Sequence, residues 1–224
     1  MKEIFAFLKE LKKNNNREWF AANKERYLAV KDKVEILTAR LIAELAKIDP
    51  DAARLTPRDC TYRIYRDTRF SPDKTPYKTH IGIFINPPGG KKSPRCGYYL
   101  HLEPGHSLVA GGAWCPEPRL LKEIRQAIYD NADEYLEVIN DPAFAAAFTS
   151  VGEDPLKTAP KGFPKDWEHI ALLKPRSFTA YSPIPDAVVK GPNLIGEAVK
   201  RMKLVKPFND FLNYTIDEYT GGVS

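Results

Sequence analysis

Residues 80–114 read HIGIFINPPGGKKSPRCGYYLHLEPGHSLVAGGAW, and their alternation decides the fold. Ile81, Ile83 and Ile85 fall on one parity, and His80, Gly82 and Phe84 on the other. A period of two is what an extended strand with two different faces requires. Residues 98–103 repeat it, with Tyr98, Leu100 and Leu102 set against Tyr99, His101 and Glu103. Ser107 to Trp114 reads as a third strand interrupted by Gly111-Gly112, which signals a bulge. Pro87-Pro88-Gly89-Gly90 and Pro104-Gly105 supply turn chemistry between them. These connections are too short for a crossover helix, so the strands are expected to pair antiparallel as a meander.

Working outward, residues 62–67 alternate as well: Tyr62 and Ile64 point one way, and Arg63, Tyr65 and Asp67 the other. Residues 176–181 read as a further strand, for a sheet of about four to five. Helical spacing brackets this sheet on both sides. Ile4, Phe7, Leu8 and Leu11 define a helix over 3–12 that ends at Asn14-Asn15-Asn16. Asn15, with Glu18 three residues on, has the offset of a capping box. One long helix is expected from there, with Phe20, Tyr27, Val30, Val34, Leu37, Leu41, Leu45 and Ile48 on its apolar face as far as Pro50. Further helices are expected over 118–140 and from Asp141-Pro142 through Phe148. Residues 152–175 read as irregular, and a C-terminal helix runs from 192 to about 219, with Pro207 as a point of interruption. Helices, then strands, then helices define an α+β domain spanning 1–224, an antiparallel sheet packed with N-terminal and C-terminal helices.

The composition of the 224 residues, 43% hydrophobic and 28% charged, is that of a globular chain with a sizeable core. A net charge of +5 is mild, far from the one-sided excess of a dedicated DNA-binding arm. Cys60, Cys96 and Cys115 are odd in number and widely spaced, so reduced thiols are expected and neither a disulfide framework nor a zinc ribbon is suggested. There is no leader-like N-terminal segment, and no apolar run approaches the roughly 20 residues of a membrane span. A cytoplasmic protein without a membrane partner is the expectation.

The charge concentrates in RIYRDTRFSPDKTPYK, residues 63–78, where Arg63, Arg66, Arg69, Lys74 and Lys78 face only Asp67 and Asp73. Guanidinium forks match planar and tetrahedral oxyanions through paired hydrogen bonds. Either these cations bind a small anion, phosphate- or carboxylate-bearing, or the two acids pair with them and pin the loop to the sheet. Arg66 has the parity of the core side, so it needs an internal partner or marks the end of the strand. Tyr65 and Tyr99, with Tyr62, Tyr77 and Tyr98 nearby, offer rings for stacking, although aromatics on strands more often pack.

His101 and Glu103 share a strand face about 6.5–7 Å apart along it. They are the candidates for proton transfer, with His80 on the neighbouring strand as a ligand contact. The same three could form a two-histidine, one-carboxylate metal site or an ordinary hydrogen-bonded sheet face. His-x-Glu arises by chance on any alternating polar strand, so no metal and no cofactor is assigned. The ligand-binding set is Arg63, Tyr65, Arg66, Arg69, Lys74, Lys78, His80 and Tyr99. Whether the protein is an enzyme is left open. One alternative is a nucleic-acid-binding module using the loop 63–78 with Lys91, Lys92 and Arg95; another is a scaffold with no ligand.

Five blocks extend the reading over nearly the whole chain: FLKELKKNNNREWFAANKERY (7–27), RIYRDTRFSPDKTPYKTHIG (63–82), GYYLHLEPG (97–105), GGAWCP (111–116) and PKGFPKDWEHIALL (160–173). In this order they resemble DUF2461, a bacterial family of unknown function. The resemblance implies one domain of about this length and carries no reaction, cofactor or catalytic residue.

Overall fold

A computed structural model describes residues 1–87 and 89–221. Pro88, in the loop expected over 87–90, lies outside the described residues. The first helix, α1 (Lys2–Lys13), buries Ile4, Phe5, Phe7, Leu8 and Leu11, the spacing that puts five side chains on one stripe. The expected long second helix is two helices, α2 (Arg17–Ala22) and α3 (Lys24–Leu45). Asn16, not Asn15, is the cap: its side chain accepts from the Trp19 N–H at 2.8 Å. Asn15 has another task, because its amide donates to the Tyr77 carbonyl at 2.9 Å and accepts from the Tyr77 N–H at 3.1 Å. The chain breaks at Asn23, whose side chain donates to the Trp19 carbonyl and closes α2.

A short helix α4 (Pro57–Cys60) starts on a capping box between Thr56 and Asp59. The strand expected over 62–67 is not formed. Only isolated bridges occur there, Thr61 with Ile83 and Tyr65 with Tyr77. The segment folds back on itself instead, with the Lys78 N–H donating to the Ile64 carbonyl at 2.8 Å and the Arg66 N–H to Pro76 at 2.9 Å. Its parity survives in part: Ile64 is buried, while Tyr62 and Tyr65 are exposed.

The sheet comprises β1 (Ile81–Ile85), β2 (Gly97–Leu102), β3 (Leu108–Ala113), β4 (Ser150–Glu153) and β5 (Ser177–Pro183). All its pairings are antiparallel, in the order β1-β2-β3-β5-β4. The first three strands are the expected meander, and β5 then inserts between β3 and β4. Strand β4 was not expected, and its second half falls in the stretch read as irregular; Gly152 at φ +85° and a register shift between Val151 and Glu153 erase its alternation. Helices α5 (Pro118–Asp130) and α6 (Ala132–Asn140) divide the expected helix 118–140 at Asn131. They are followed by α7 (Pro142–Ala147), α8 (Asp186–Lys190) and α9 (Leu194–Thr220).

Pro207 sits inside α9 without interrupting it. The helix stays in place because it is clamped to the sheet. A Cβ on Gly111 would stand 2.7 Å from Val205, so glycine there lets α9 approach β3 closely. Asn209 donates to the Gly97 carbonyl at 3.0 Å, and Asn213 bonds both the N–H and the carbonyl of Cys96. On that face Ile83, Leu100 and Val109 form one cross-strand row, all fully buried. The opposite face carries Gly82, Phe84, Tyr99 and His101, of which the last three are half-buried. Among the described residues no helix is long and apolar enough to cross a membrane.

Candidate functional site

Register builds the first half of the site. Gly82 pairs with His101 across β1 and β2, so His80, two residues before Gly82, arrives beside His101. Their imidazole rings stack with centroids 4.5 Å apart and planes 29° off parallel. From Tyr99 a chain of contacts runs along β2. The Tyr99 hydroxyl meets His101 Nδ1 at 3.0 Å, and His101 Nε2 meets Glu103 Oε2 at 3.2 Å. Lys12 Nζ, from the end of α1, reaches Glu103 Oε1 at 3.4 Å. The tautomer that satisfies both contacts of His101 has its proton on Nε2: the phenol donates to Nδ1 and Nε2–H donates to the carboxylate.

The electrostatics follow from partial burial. Burial, then the neighbouring His101, pushes His80 down to about 4, so its imidazole is neutral at neutral pH. Burial, then Tyr62 and Glu103, pushes the Tyr99 phenol up to about 12, which keeps it a donor. Burial alone would raise the Glu103 carboxyl, but the hydrogen bonds from His101 and Lys12 outweigh it and hold the group below its ordinary value.

The charge cluster divides in two. Arg66 is held inside its own loop by Asp73, Thr75 and Ser71. Arg69 makes a fork on Asp67 at 2.7 and 3.0 Å, and Lys74 donates to the Thr68 carbonyl at 2.9 Å. The Arg69 hydrogen bond holds the Asp67 carboxyl down at about 2, and the Thr75 N–H, with Arg66, does the same for Asp73. Tyr65 packs at the edge of an aromatic group, 5.4 Å from Tyr77 and 6.0 Å from Phe20.

Arg63 and Lys78 behave differently. Neither has a carboxylate partner among the described residues. Both line a cleft of about 470 Å³ between α3 and the segment 61–82, whose wall includes His80 and Gly82. Lys31 and Glu35 from α3 lie on the far side, 3.3 Å apart as a pair, and Arg58 and Lys91 also line the cleft. Lys78 Nζ stands 5.3 Å from the centre of the Tyr62 ring. Burial, then Arg63, lowers the Lys78 ammonium.

The fold therefore gathers His80, Tyr99, His101 and Glu103 into one contact group, and places Arg63 and Lys78 with His80 around a cleft. Arg66, Arg69 and Lys74 stay within their loop. Lys31 and Glu35 were not legible as site residues, since they come from a helix about 30 residues away in sequence and only the folded chain brings them to Arg63, while Arg58, five residues before Arg63, stands on the short helix α4 outside the charge cluster. The basic residues considered for a nucleic-acid surface are partly engaged: Arg95 pairs with Asp217 at 3.1 Å, and Lys91 donates to the Arg58 and Thr61 carbonyls.

A five-stranded antiparallel sheet clamped by N-terminal and C-terminal helices, with a basic cleft at the β1 edge, defines an α+β protein. The chain belongs to the family DUF2461, described as a conserved hypothetical protein, whose model matches residues 3–211. No curated protein and no solved structure matches it.

Proposed function

We propose that this protein binds a small anionic ligand, phosphate- or carboxylate-bearing, in the cleft lined by Arg63, Lys78, Arg58 and Lys91. The observation that carries this reading is that Arg63 and Lys78 face a cavity of about 470 Å³ without a carboxylate partner among the described residues. That volume lies in the ordinary range for small-molecule sites. A half-buried cation whose ammonium form is disfavoured by burial, as for Lys78, gains most from an incoming anion. Arg63 supplies the fork that holds two oxygens at once. Among the described residues Glu35 is the one acid on the wall, and Lys31 answers it. If the bound ligand is transformed, His101, stacked on His80 of the cleft wall, is the nearby group that carries a transferable proton, and the Glu103 carboxylate is the base that accepts from it. Three unpaired thiols support a reducing compartment, a bacterial cytoplasm.

A thermal-shift panel of phosphate, pyrophosphate, nucleoside monophosphates and citrate tests the reading, with single- and double-stranded oligonucleotides alongside. At least one small anion is expected to raise the melting temperature of the unmutated protein and not that of Arg63→Ala. Stabilisation only by oligonucleotides, fading steeply with salt as counterion release requires, would replace the cleft with a nucleic-acid surface. No stabilisation by any member of the panel would leave the scaffold reading.

A further inference from the structure

We propose that His80, His101 and Glu103 form a binding site for a divalent transition-metal ion such as Zn²⁺, held by two imidazole nitrogens and one carboxylate oxygen. The inference does not depend on the anionic ligand. One donor atom from each of the three residues lies within 4.8 Å of the others. His101 Nε2 and Glu103 Oε2 are 3.2 Å apart. Two ligand atoms about 2.0–2.2 Å from one ion stand about 2.9–3.4 Å apart, so this edge already has the size of a coordination polyhedron.

His80 supplies the independent observation. Its half-buried ring makes no hydrogen bond to another group among the described residues, although it lies stacked against His101. A neutral imidazole with a free lone pair is the form that ligates. The donor atoms lie within 4.8 Å of one another, a span somewhat wider than the bound edge, so occupancy draws His80 inward toward the other two. Side-chain rotation supplies this, because no hydrogen bond holds the ring in place.

The surrounding contacts have the arrangement of an outer shell. When His101 Nε2 turns to the ion, its proton moves to Nδ1 and is donated to the Tyr99 hydroxyl at 3.0 Å, the partner that fixes tautomer and ring angle. Lys12 holds Glu103 Oε1 and leaves Oε2 for the ion. Two imidazoles with one carboxylate favour Zn²⁺, Fe²⁺ or Co²⁺ over Ca²⁺ and Mg²⁺, which require oxygen-rich sets. Three protein ligands leave at least one position for water or an oxyanion, and His80 is also part of the cleft wall, so that position faces the cleft.

The test is titration of the chelator-treated full chain with Co²⁺ and with Zn²⁺ alone, read by cobalt absorption and by calorimetry. One equivalent is expected to bind, with affinity at least 10-fold weaker in His80→Ala, His101→Ala and Glu103→Gln. Tyr99→Phe is expected to weaken it about 10-fold, as loss of an outer-shell partner does. Circular dichroism and the melting temperature of the metal-free variants establish that they are folded; His80→Gln replaces His80→Ala if the latter is not. Failure of the unmutated protein to bind either ion at millimolar concentration overturns the site, as does equal affinity in the folded His80 and His101 variants. Because the readout involves no anion, it fails or succeeds separately from the Arg63→Ala comparison.

Discussion

The Tyr99 ring lies over Gly82 of the neighbouring strand, with its hydroxyl where a Cβ on Gly82 would come within 2.7 Å. The absent side chain is therefore part of the site. It gives the phenol room to reach His101 Nδ1, and it lets the cleft wall run flat past His80. Gly82→Ala is expected to destabilise the protein by about 1–3 kcal/mol, the cost of overpacking a closed contact. The strain lies between two named residues, so Tyr99→Ala is expected to recover part of the loss, a coupling of about 0.5–3 kcal/mol in a double-mutant cycle by denaturant unfolding. Additive effects of the two substitutions would contradict the contact.

Asn15 ties the loop 63–78 to the helical layer through both backbone groups of Tyr77. Asn15→Ala leaves that N–H and carbonyl without their partner, a loss of about 1–3 kcal/mol. Asn16→Ala removes only a helix cap, about 1 kcal/mol. Hydrogen exchange separates the two: the Tyr77 amide loses protection in the Asn15 variant and keeps it in the Asn16 variant.

The three cysteines are expected to differ in reactivity. Burial, then the nearby Asp59, pushes the Cys60 thiol up to about 12, and burial raises Cys96 as well, whereas Cys115 is exposed. The thiolate is the nucleophile. A disulfide exchange reagent at pH 8 is therefore expected to titrate one thiol rapidly in the native protein and three after denaturation. Rapid reaction of two or three in the native state would contradict the burial.

Acid is expected to loosen the loop 63–78 late. Asp67 and Asp73 titrate near 2 in the folded protein against an ordinary 3.8. A carboxyl whose folded value is depressed stabilises the fold above its unfolded value and loses that contribution as pH falls through the folded one. The window is therefore about pH 4 down to 2. The Thr75 amide, which donates to Asp73 Oδ1 at 2.9 Å, is expected to shift in an NMR titration with a midpoint near 2. A midpoint near 4 would place Asp73 outside the contact.

Much of the site was legible because strand parity is a strong constraint. The alternation of 98–103 put Tyr99, His101 and Glu103 on one face, but whether His80 met them hung on a strand register that the sequence does not encode and that the Gly82–His101 pairing supplies. Side-chain pairing within a loop carries no such periodicity, so nothing local distinguished Arg66 and Arg69, which have carboxylate partners, from Arg63, which has none among the described residues. The parity of Arg66 asked for an internal partner or the end of a strand; Arg66 pairs with Asp73, and no strand forms over 62–67. The choice between Asn15 and Asn16 as cap rests on a tertiary contact of Asn15 with Tyr77, 62 residues away. Strand β4 was hidden by its own bulge and by Gly152. Lys31 and Glu35 reach the cleft only through the packing of α3, which no sequence spacing encodes.

The contrast between free and paired cations gives the most direct measurement. Calorimetric titration of pyrophosphate and of citrate into the unmutated protein, Arg63→Ala and Arg69→Ala at fixed ionic strength compares two residues of the same type, six positions apart. The account predicts that at least one of the two anions binds, that Arg63→Ala loses about 10-fold or more in affinity, as expected for a bidentate charged contact of about 1.5–3 kcal/mol, and that Arg69→Ala changes little. Equal losses in both variants, or binding unaffected by Arg63→Ala, would contradict it.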